Sequence, residues 1–394
     1  MTAGVLALWG TFANGRGLNC YQRIKTPLDN FNVVLYNYFN VQAKPERDRT
    51  VEEQGRHTRV TIKDIAKRTG YSVNAVSRAL NGKSDISEAT RQLIEKTAEE
   101  MGYIKNTLAG SLRSGVTSTI AVLVSDISNP LFGIMVREME VLLDEMGYSM
   151  FIMNTNEDPV KEKKAVLTAI SHKVDGFIIC PTQRGEDIFR LLEQEGIPYV
   201  LLGRRFPGKD MNYVVWDDYQ GGYIAAQYLL SLGHERILHL GGSGNISSAR
   251  ERMEGYQAAL RDAGVSTRKE LIYEVSPFGE NLEPVLTEGI SRGGYTAIFA
   301  FSDMIAWEAV SQLTSMGIRV PEDVSVVGFD GIQSKLKLPC RLTTVITPKT
   351  KMAENVVEAI MNLIQKKSAK KTQVVIPVKL AVRDTTKECP ATGK

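Results

Sequence analysis

The sequence predicts a two-part chain: a small all-α head, then an α/β body of parallel sheets covered by helices. Three observations predict it. Residues 60–104 are filled by short amphipathic segments, each preceded by a capping residue. From Thr119 the pattern changes to apolar runs of about six residues, separated by amphipathic stretches that end in Gly. The length of 394 residues, with 43% hydrophobic and 24% charged residues, suits two or three globular domains.

Composition excludes several classes. No apolar run reaches the roughly 18–20 residues needed to span a bilayer, so a soluble, cytoplasmic protein without membrane contact is expected. The cysteines, Cys20, Cys180, Cys340 and Cys389, form no CxxC pair. That argues against a zinc ribbon or a disulfide framework and fits a reducing compartment. The net charge of +3 is unevenly spread: residues 60–115 carry 9 Lys+Arg against 6 Asp+Glu, and residues 116–394 carry 31 against 34. A basic N-terminal part on a mildly acidic body points toward nucleic acid.

Residues 1–59 carry 8 Lys+Arg and 5 Asp+Glu and no chemical motif. Val5–Trp9 is too short for a signal-peptide core. The segment reads as a disordered extension or an over-long gene model, because a complete domain begins abruptly at Val60.

Thr61 precedes Ile62, Ile65 and Ala66, with Asp64 in the capping-box position. Gly70 ends this first helix, and Ser72 caps a second one with Val76, Ala79 and Leu80 on one face. Ser87 caps a third, which turns Ile94, Ala98 and Met101 inward and stops at Gly102. Two short helices joined by a tight Gly turn form a helix-turn-helix pattern; a helical bundle with a polar surface fits the same pattern. On the second helix Val73, Asn74, Ser77 and Arg78 point away from the core. In a major groove Asn pairs with adenine, Arg with guanine, and Val meets a thymine methyl.

Residues 60–82, VTIKDIAKRTGYSVNAVSRALNG, closely resemble the DNA-binding head of the lactose-repressor (LacI/GalR) family, with its wording T-x-x-D-[IV]-A-x-x-[AT]-G-[VY]-S-x-x-T-V-S-R-x-L-N. Ala75 departs from it, removing a Thr hydroxyl that can reach phosphate. Pattern and resemblance together nominate Thr61, Ser72, Val73, Asn74, Ser77, Arg78 and Asn81 for DNA contact. The resemblance extends over residues 60–386.

Residues 105–116 contain Asn106 to Arg113, too short for a stable isolated helix and weakened by Gly110. By pattern alone the segment also suits a plain linker. The resemblance implies a hinge helix formed on operator DNA. Asn106, Ala109, Leu112 and Arg113 then lie at the DNA, with Leu112 wedged into the minor groove. Lys105 stands where many members have Pro. Leu112→Ala is accordingly expected to lower operator affinity far more than non-specific affinity.

In the body, strands are predicted at Ile120–Val124, Ser149–Met153, Gly176–Cys180, Tyr199–Leu202, Ile237–Leu240, Leu271–Val275, Ala297–Phe301, Val324–Gly328 and Thr343–Ile346, with a further one entering Val214–Asp218. Continuous apolar strands alternating with helices mean parallel sheets covered on both faces. Such sheets bind ligands beyond their strand C-termini. Polar clusters stand there: Ser125–Phe132, Trp216–Asp218, Gly241–Asn245 with Ser248–Gly255, Phe301–Asp303 and Gly328–Asp330. Each Asp alone also suits a helix N-cap. Several clusters at one edge favour a pocket, with Phe132, Trp216 and Phe278 available to stack on a sugar face.

The clusters resemble the core that the family shares with periplasmic sugar-binding proteins, two lobes joined by three crossovers. The crossovers are placed near 217–221, 347 and 372. The first lobe then spans 117–217 and 348–371, the second 218–347 and 372–386, and 387–394 is a tail. The resemblance implies that Arg252, in R-x-x-G, and Asp303 hold the effector, a sugar or a small metabolite such as a purine or nucleoside. Asp126, Asn129, Phe132, Asp217, Arg250 and Phe278 are further matches. Asp330, in a V-G-[FY]-D motif, stays outside this set as a structural residue.

No GxxxxGK[ST] loop, GxGxxG turn or GxSxG elbow occurs, and no histidine pair has common metal-ligand spacing, so neither enzyme nor cofactor nor metal is expected. The expected function is a ligand-responsive, sequence-specific transcriptional regulator of repressor type. It would act as a homodimer on a near-palindromic operator, associated with the nucleoid. By family analogy the helix at 131–146, with Leu131, Ile134, Met135, Glu138, Met139 and Leu142, is the dimer face. The rival is a solute-binding protein, which would need a secretory signal and no helix-turn-helix.

Overall fold

The computed structural model describes residues 60–104, 116–276, 281–291, 294–332, 340–367 and 370–389. The expectations for 1–59, for Asn106, Ala109, Leu112 and Arg113, and for Phe278 lie outside these residues.

The chain divides into two units, with the boundary after Lys105. The first contains α1 (Ile62–Thr69), α2 (Val73–Leu80) and α3 (Glu88–Glu100). The backbone N–H of Thr61 donates to the Asp64 carboxylate at 2.8 Å, and Gly70 closes α1 at φ 77°. Ser72 accepts the Ala75 N–H at 3.1 Å, and Ser87 accepts that of Thr90. Each satisfies an N–H that the helix start leaves unpaired. One face of each helix supplies a single core of Ile65, Ala66, Val76, Ala79, Ile94 and Ala98.

The second unit has two six-stranded sheets. The first contains β1 (Thr119–Val124), β2 (Ser149–Asn154), β3 (Gly176–Ile179), β4 (Tyr199–Leu202), β5 (Tyr213–Trp216) and β11 (Gln373–Ile376), in the order β11-β5-β4-β3-β1-β2, all parallel. The second contains β6 (Ile237–Gly241), β7 (Ile272–Glu274), β8 (Ala297–Ala300), β9 (Ser325–Asp330), β10 (Thr343–Ile346) and β12 (Lys379–Ala381), in the order β12-β10-β9-β8-β6-β7. Side-chain alternation assigns each strand to two cores. Ile120, Val122 and Val124 of β1 join α4 (Pro130–Glu145) and α11 (Lys349–Ile364), while Ala121 and Leu123 join α5 (Pro159–Ser171) and α6 (Asp187–Gln194). In the second lobe Ile298 and Ala300 face α9 (Glu283–Ser291) and α10 (Asp303–Ser315), while Ala297 and Phe299 face α7 (Asp218–Ser231) and α8 (Ser247–Asp262). Burial on both faces explains why these strands read as unbroken apolar runs.

Two expectations are corrected. β12 runs antiparallel to β10, so the second sheet is not wholly parallel. The third crossover lies between Ile376 and Lys379, not near 372: Gln373–Ile376 pair with Tyr213–Trp216 in the first sheet. β11 and β12 are short edge strands with exposed positions, and neither carries the apolar run that marks the buried ones. Where α7 and α8 cross, glycine is required on both sides. A Cβ on Gly222 would overlap the backbone of Arg252, and one on Gly255 that of Tyr219. This close crossing fixes where Arg252 sits.

Candidate functional site

In the head unit, Val76 and Ala79 anchor α2 in the core, which turns Val73, Asn74 and Arg78 to solvent. Val73 is 46% exposed, an apolar side chain with nothing of its own unit to cover it. Arg78 forms an exposed ion pair with Asp85. Ser77 is half-buried. The other nominated residues are committed to helix ends. The Thr61 hydroxyl donates to Asp64, Ser72 caps α2, and the Asn81 side-chain amide donates to the Ser77 carbonyl at 2.7 Å. The solvent-facing side of α2 is thus Val73, Asn74 and Arg78, with Ser77 at its edge.

In the second unit, the carboxyl ends of both sheets face one cavity with about 700 Å³ of empty space, part of it open to solvent. The first lobe supplies Asn129 and Phe132 from the start of α4, Trp216 from the end of β5, and Arg204 just beyond β4. The second supplies Ser248 and Arg252 from α8, Phe301 and Ser302 after β8, and Asp330 at the end of β9.

Arg252 is the best-held group in the cavity. Its Nε donates to Asp218 at 2.8 Å, and an Nη1 N–H donates to the Phe301 carbonyl. The guanidinium carbon lies 4.5 Å from the Phe301 ring centroid and 3.5 Å from that of Phe329. Such stacking adds to the ion pair where water is excluded. Burial pushes the Asp218 carboxyl up to about 7 against the pull of Arg252. Across the cavity, Arg204 donates to both carboxylate oxygens of Glu157, at 2.8 and 2.6 Å, and to the Pro181 carbonyl. At the rim the lobes are clasped: Arg205 Nε donates to Glu251 at 3.0 Å, and the Ser247 N–H donates to Gln183 at 2.7 Å.

The structure redistributes the expected effector set. Arg252, Asn129 and Phe132 line the cavity. Asp303 does not: it is fully buried, accepting the Ile332 N–H at 2.8 Å and the Thr344 hydroxyl. Its carboxylate packs where a Cβ on Gly328 would have to go, which accounts for the glycine of the V-G-F-D motif. Asp217 caps α7 by accepting the Gln220 N–H at 3.0 Å, and Asp126 accepts the Ser128 N–H and hydroxyl. Both are turned to local backbone work rather than to the cavity. Arg250 stands on the outer face of α8 near Glu254, 3.9 Å away. The sequence reading missed Arg204 and Glu157 as lining residues, and carried Ser248 and Asp330 only within its polar clusters. Their common signal is position, on or just past the C-terminal end of a strand or at the helix start that follows.

Comparison with known proteins covers both units. Residues 61–106 match the family model for bacterial regulatory proteins, lacI family. Residues 117–384 match that for periplasmic binding proteins and the sugar binding domain of the LacI family. The HTH-type transcriptional regulator DegA of Bacillus subtilis is 36% identical over 332 residues, 83% of this chain and 98% of that protein. The HTH-type transcriptional regulator GalR of Escherichia coli is 32% identical over 304 residues, 77% of this chain and 89% of that protein. Among solved structures, the lac repressor dimer bound to operator and the anti-inducer ONPF superposes with a TM-score of 0.73 at 25% identity, covering 84% of this chain and 99% of that one. The complex of the transcriptional regulator CelR with cellobiose gives 0.63 at 27% identity, covering 83% and 100%.

Proposed function

The chain belongs to the LacI family of bacterial regulatory proteins, and from that premise we propose that it is a sequence-specific transcriptional repressor whose operator affinity is set by a small molecule bound between its two lobes. One observation carries this reading. A single chain joins a helix-turn-helix that exposes Val73, Asn74 and Arg78 to a ligand-sized cavity at the carboxyl edges of two sheets. It acts in the cytoplasm on chromosomal operators, and the cavity binds its ligand without converting it.

Val73, Asn74 and Arg78 read base edges in the major groove, and two heads of a homodimer read the halves of a near-palindromic operator. Residues 105–116 form the hinge, with Leu112 as the minor-groove wedge. The dimer face is the outer side of α4 with its neighbouring edge strand β2, where Val141, Met146, Phe151 and Ile152 are exposed apolar residues. Relatives with bound sugars support a sugar as the effector. Arg252, Asn129 and Phe132 receive it, and binding shifts the balance between clasped and parted lobes. By linkage, effector and operator change each other's affinity by the same factor.

The test is a gel-shift titration on an operator selected from random duplexes, with and without a panel of sugars. The reading expects retarded dimer complexes whose midpoint moves with one panel member. Absence of any DNA binding would leave a solute-binding protein instead, and DNA binding indifferent to every ligand would leave an architectural one.

A further inference from the structure

Among the described residues, some buried side-chain polar atoms lack a hydrogen-bond partner. Two of them belong to residues that line the interlobe cavity: the indole Nε1 of Trp216, on the first lobe, and the carboxylate Oδ1 of Asp330, on the second. One is a donor only and the other an acceptor. Both side chains are almost wholly buried, at 3% and 2% exposure. A buried polar atom without a partner is costly, and natural structures retain one where a ligand or water completes it.

The backbone at Asp330 supports the same conclusion. Its φ of 108° lies in a region that side chains rarely occupy. Such strain persists where the surroundings impose it, and it collects at ligand sites. Here the Asp330 carbonyl is held by the Thr347 N–H at 3.3 Å, the Thr347 hydroxyl at 2.9 Å and the Lys349 ammonium. Thr347 lies in the crossover between β10 and α11, and Lys349 opens α11. The carboxylate is thus held at the cavity from a segment that joins the lobes. It lies 3.7 Å from Arg252 Nη1 without a hydrogen bond to it.

The charges narrow the ligand further. Arg204 and Glu157 neutralise each other in a two-pronged pair. Arg252 stands between two carboxylates, Asp218 at 2.8 Å and Asp330 at 3.7 Å. Among the cavity-lining residues no cationic group is left over for an anion, and Lys349 is engaged behind the wall by the Asp330 carbonyl.

We propose that Trp216 and Asp330 are the paired receptors that bridge effector to both lobes, and that the effector is an uncharged polyhydroxyl molecule. One of its oxygens accepts from the Trp216 N–H, and one of its hydroxyls donates to Asp330. Phosphate esters of the same sugars are rejected, because their charge finds carboxylate rather than free guanidinium. The inference rests on the effector reading above and deepens it.

Isothermal titration of the full chain with D-ribose, D-glucose and cellobiose, and with ribose 5-phosphate and glucose 6-phosphate, tests it. At least one neutral sugar binds and neither ester does. Trp216→Phe keeps the ring and removes the donor; Asp330→Asn keeps the shape, tolerates the same φ and removes the charge. Each weakens sugar binding by about tenfold or more, and Asp330→Asn narrows the gap between sugar and ester. Thermal melts check that both variants fold, and the wild-type comparison stands without them. Binding of an ester and of no neutral sugar overturns the inference while leaving the effector reading intact. So does a sugar affinity unchanged in both folded variants. Binding by no panel member overturns the inference and the sugar-effector reading together.

Discussion

Arg78 in the head and Arg252 in the core each face a carboxylate, and their surroundings differ in almost every other respect. The side chains of Arg78 and Asp85 are 45% and 49% exposed, and water competes for both. Those of Arg252 and Asp218 are 4% and 2% exposed, and the guanidinium is also held by a carbonyl and two aromatic rings. An exposed pair is weak and exchanges readily, which suits the role proposed for Arg78, trading Asp85 for a base edge. Breaking a buried pair strands the partner charge at a cost of about 3–5 kcal/mol, which suits a fixed cavity wall. The same residue type is an exposed, exchangeable side chain in one region and part of the scaffold in the other.

The largest test of that contrast is Arg252→Ala. It should lower unfolding stability by about 3–5 kcal/mol, read from denaturant midpoints. A loss below about 1 kcal/mol would make the two arginines equivalent and break the comparison.

The pH dependence of stability comes next. Burial raises Asp330 and Asp218 to about 7 and Asp303 to about 6. Unfolded, each returns to about 3.9. The folded core therefore holds extra protons between those values. The stability these carboxyls contribute is complete below pH about 4 and is lost as pH rises toward 7. Asp330→Asn removes one contribution, so wild type should lose its advantage over the variant between about pH 4 and pH 7. Parallel melting curves across that range would contradict the assignment.

Arg78→Ala reverses the pattern of Arg252→Ala. The denaturant midpoint should hardly move, while operator affinity falls about tenfold or more in anisotropy titrations. The smallest effect is expected at the clasp. Arg205→Ala removes a partly exposed pair with Glu251 and should weaken ligand binding no more than about fivefold.

The two regions were also unequally legible in the sequence. The head could be read almost residue by residue, because caps, turn and apolar face are all local in the chain: Ser72 to Ala75, Gly70, Val76 with Ala79. The sheets were legible where strands are buried on both faces, and illegible at β11 and β12, whose edge positions leave no apolar run. Around the cavity, Arg252 lines the wall as its position suggests, whereas Asp303 is buried behind it and Asp330 lines it. Both follow apolar strands and look alike in sequence. What separates them is the hydrogen-bond supply from Ile332 and Thr344, residues 29 and 41 positions away from Asp303. Periodicity carries no information about such distant partners.

The central claim is that occupancy of the cavity and operator binding by the head are coupled. It is tested most directly by fluorescence anisotropy of a selected near-palindromic operator, titrated with the full chain in the absence and at saturation of the sugar that binds the cavity. The account predicts a change in operator affinity, and the same factor in sugar affinity when operator is saturating. Equal operator affinity in the two titrations would contradict it.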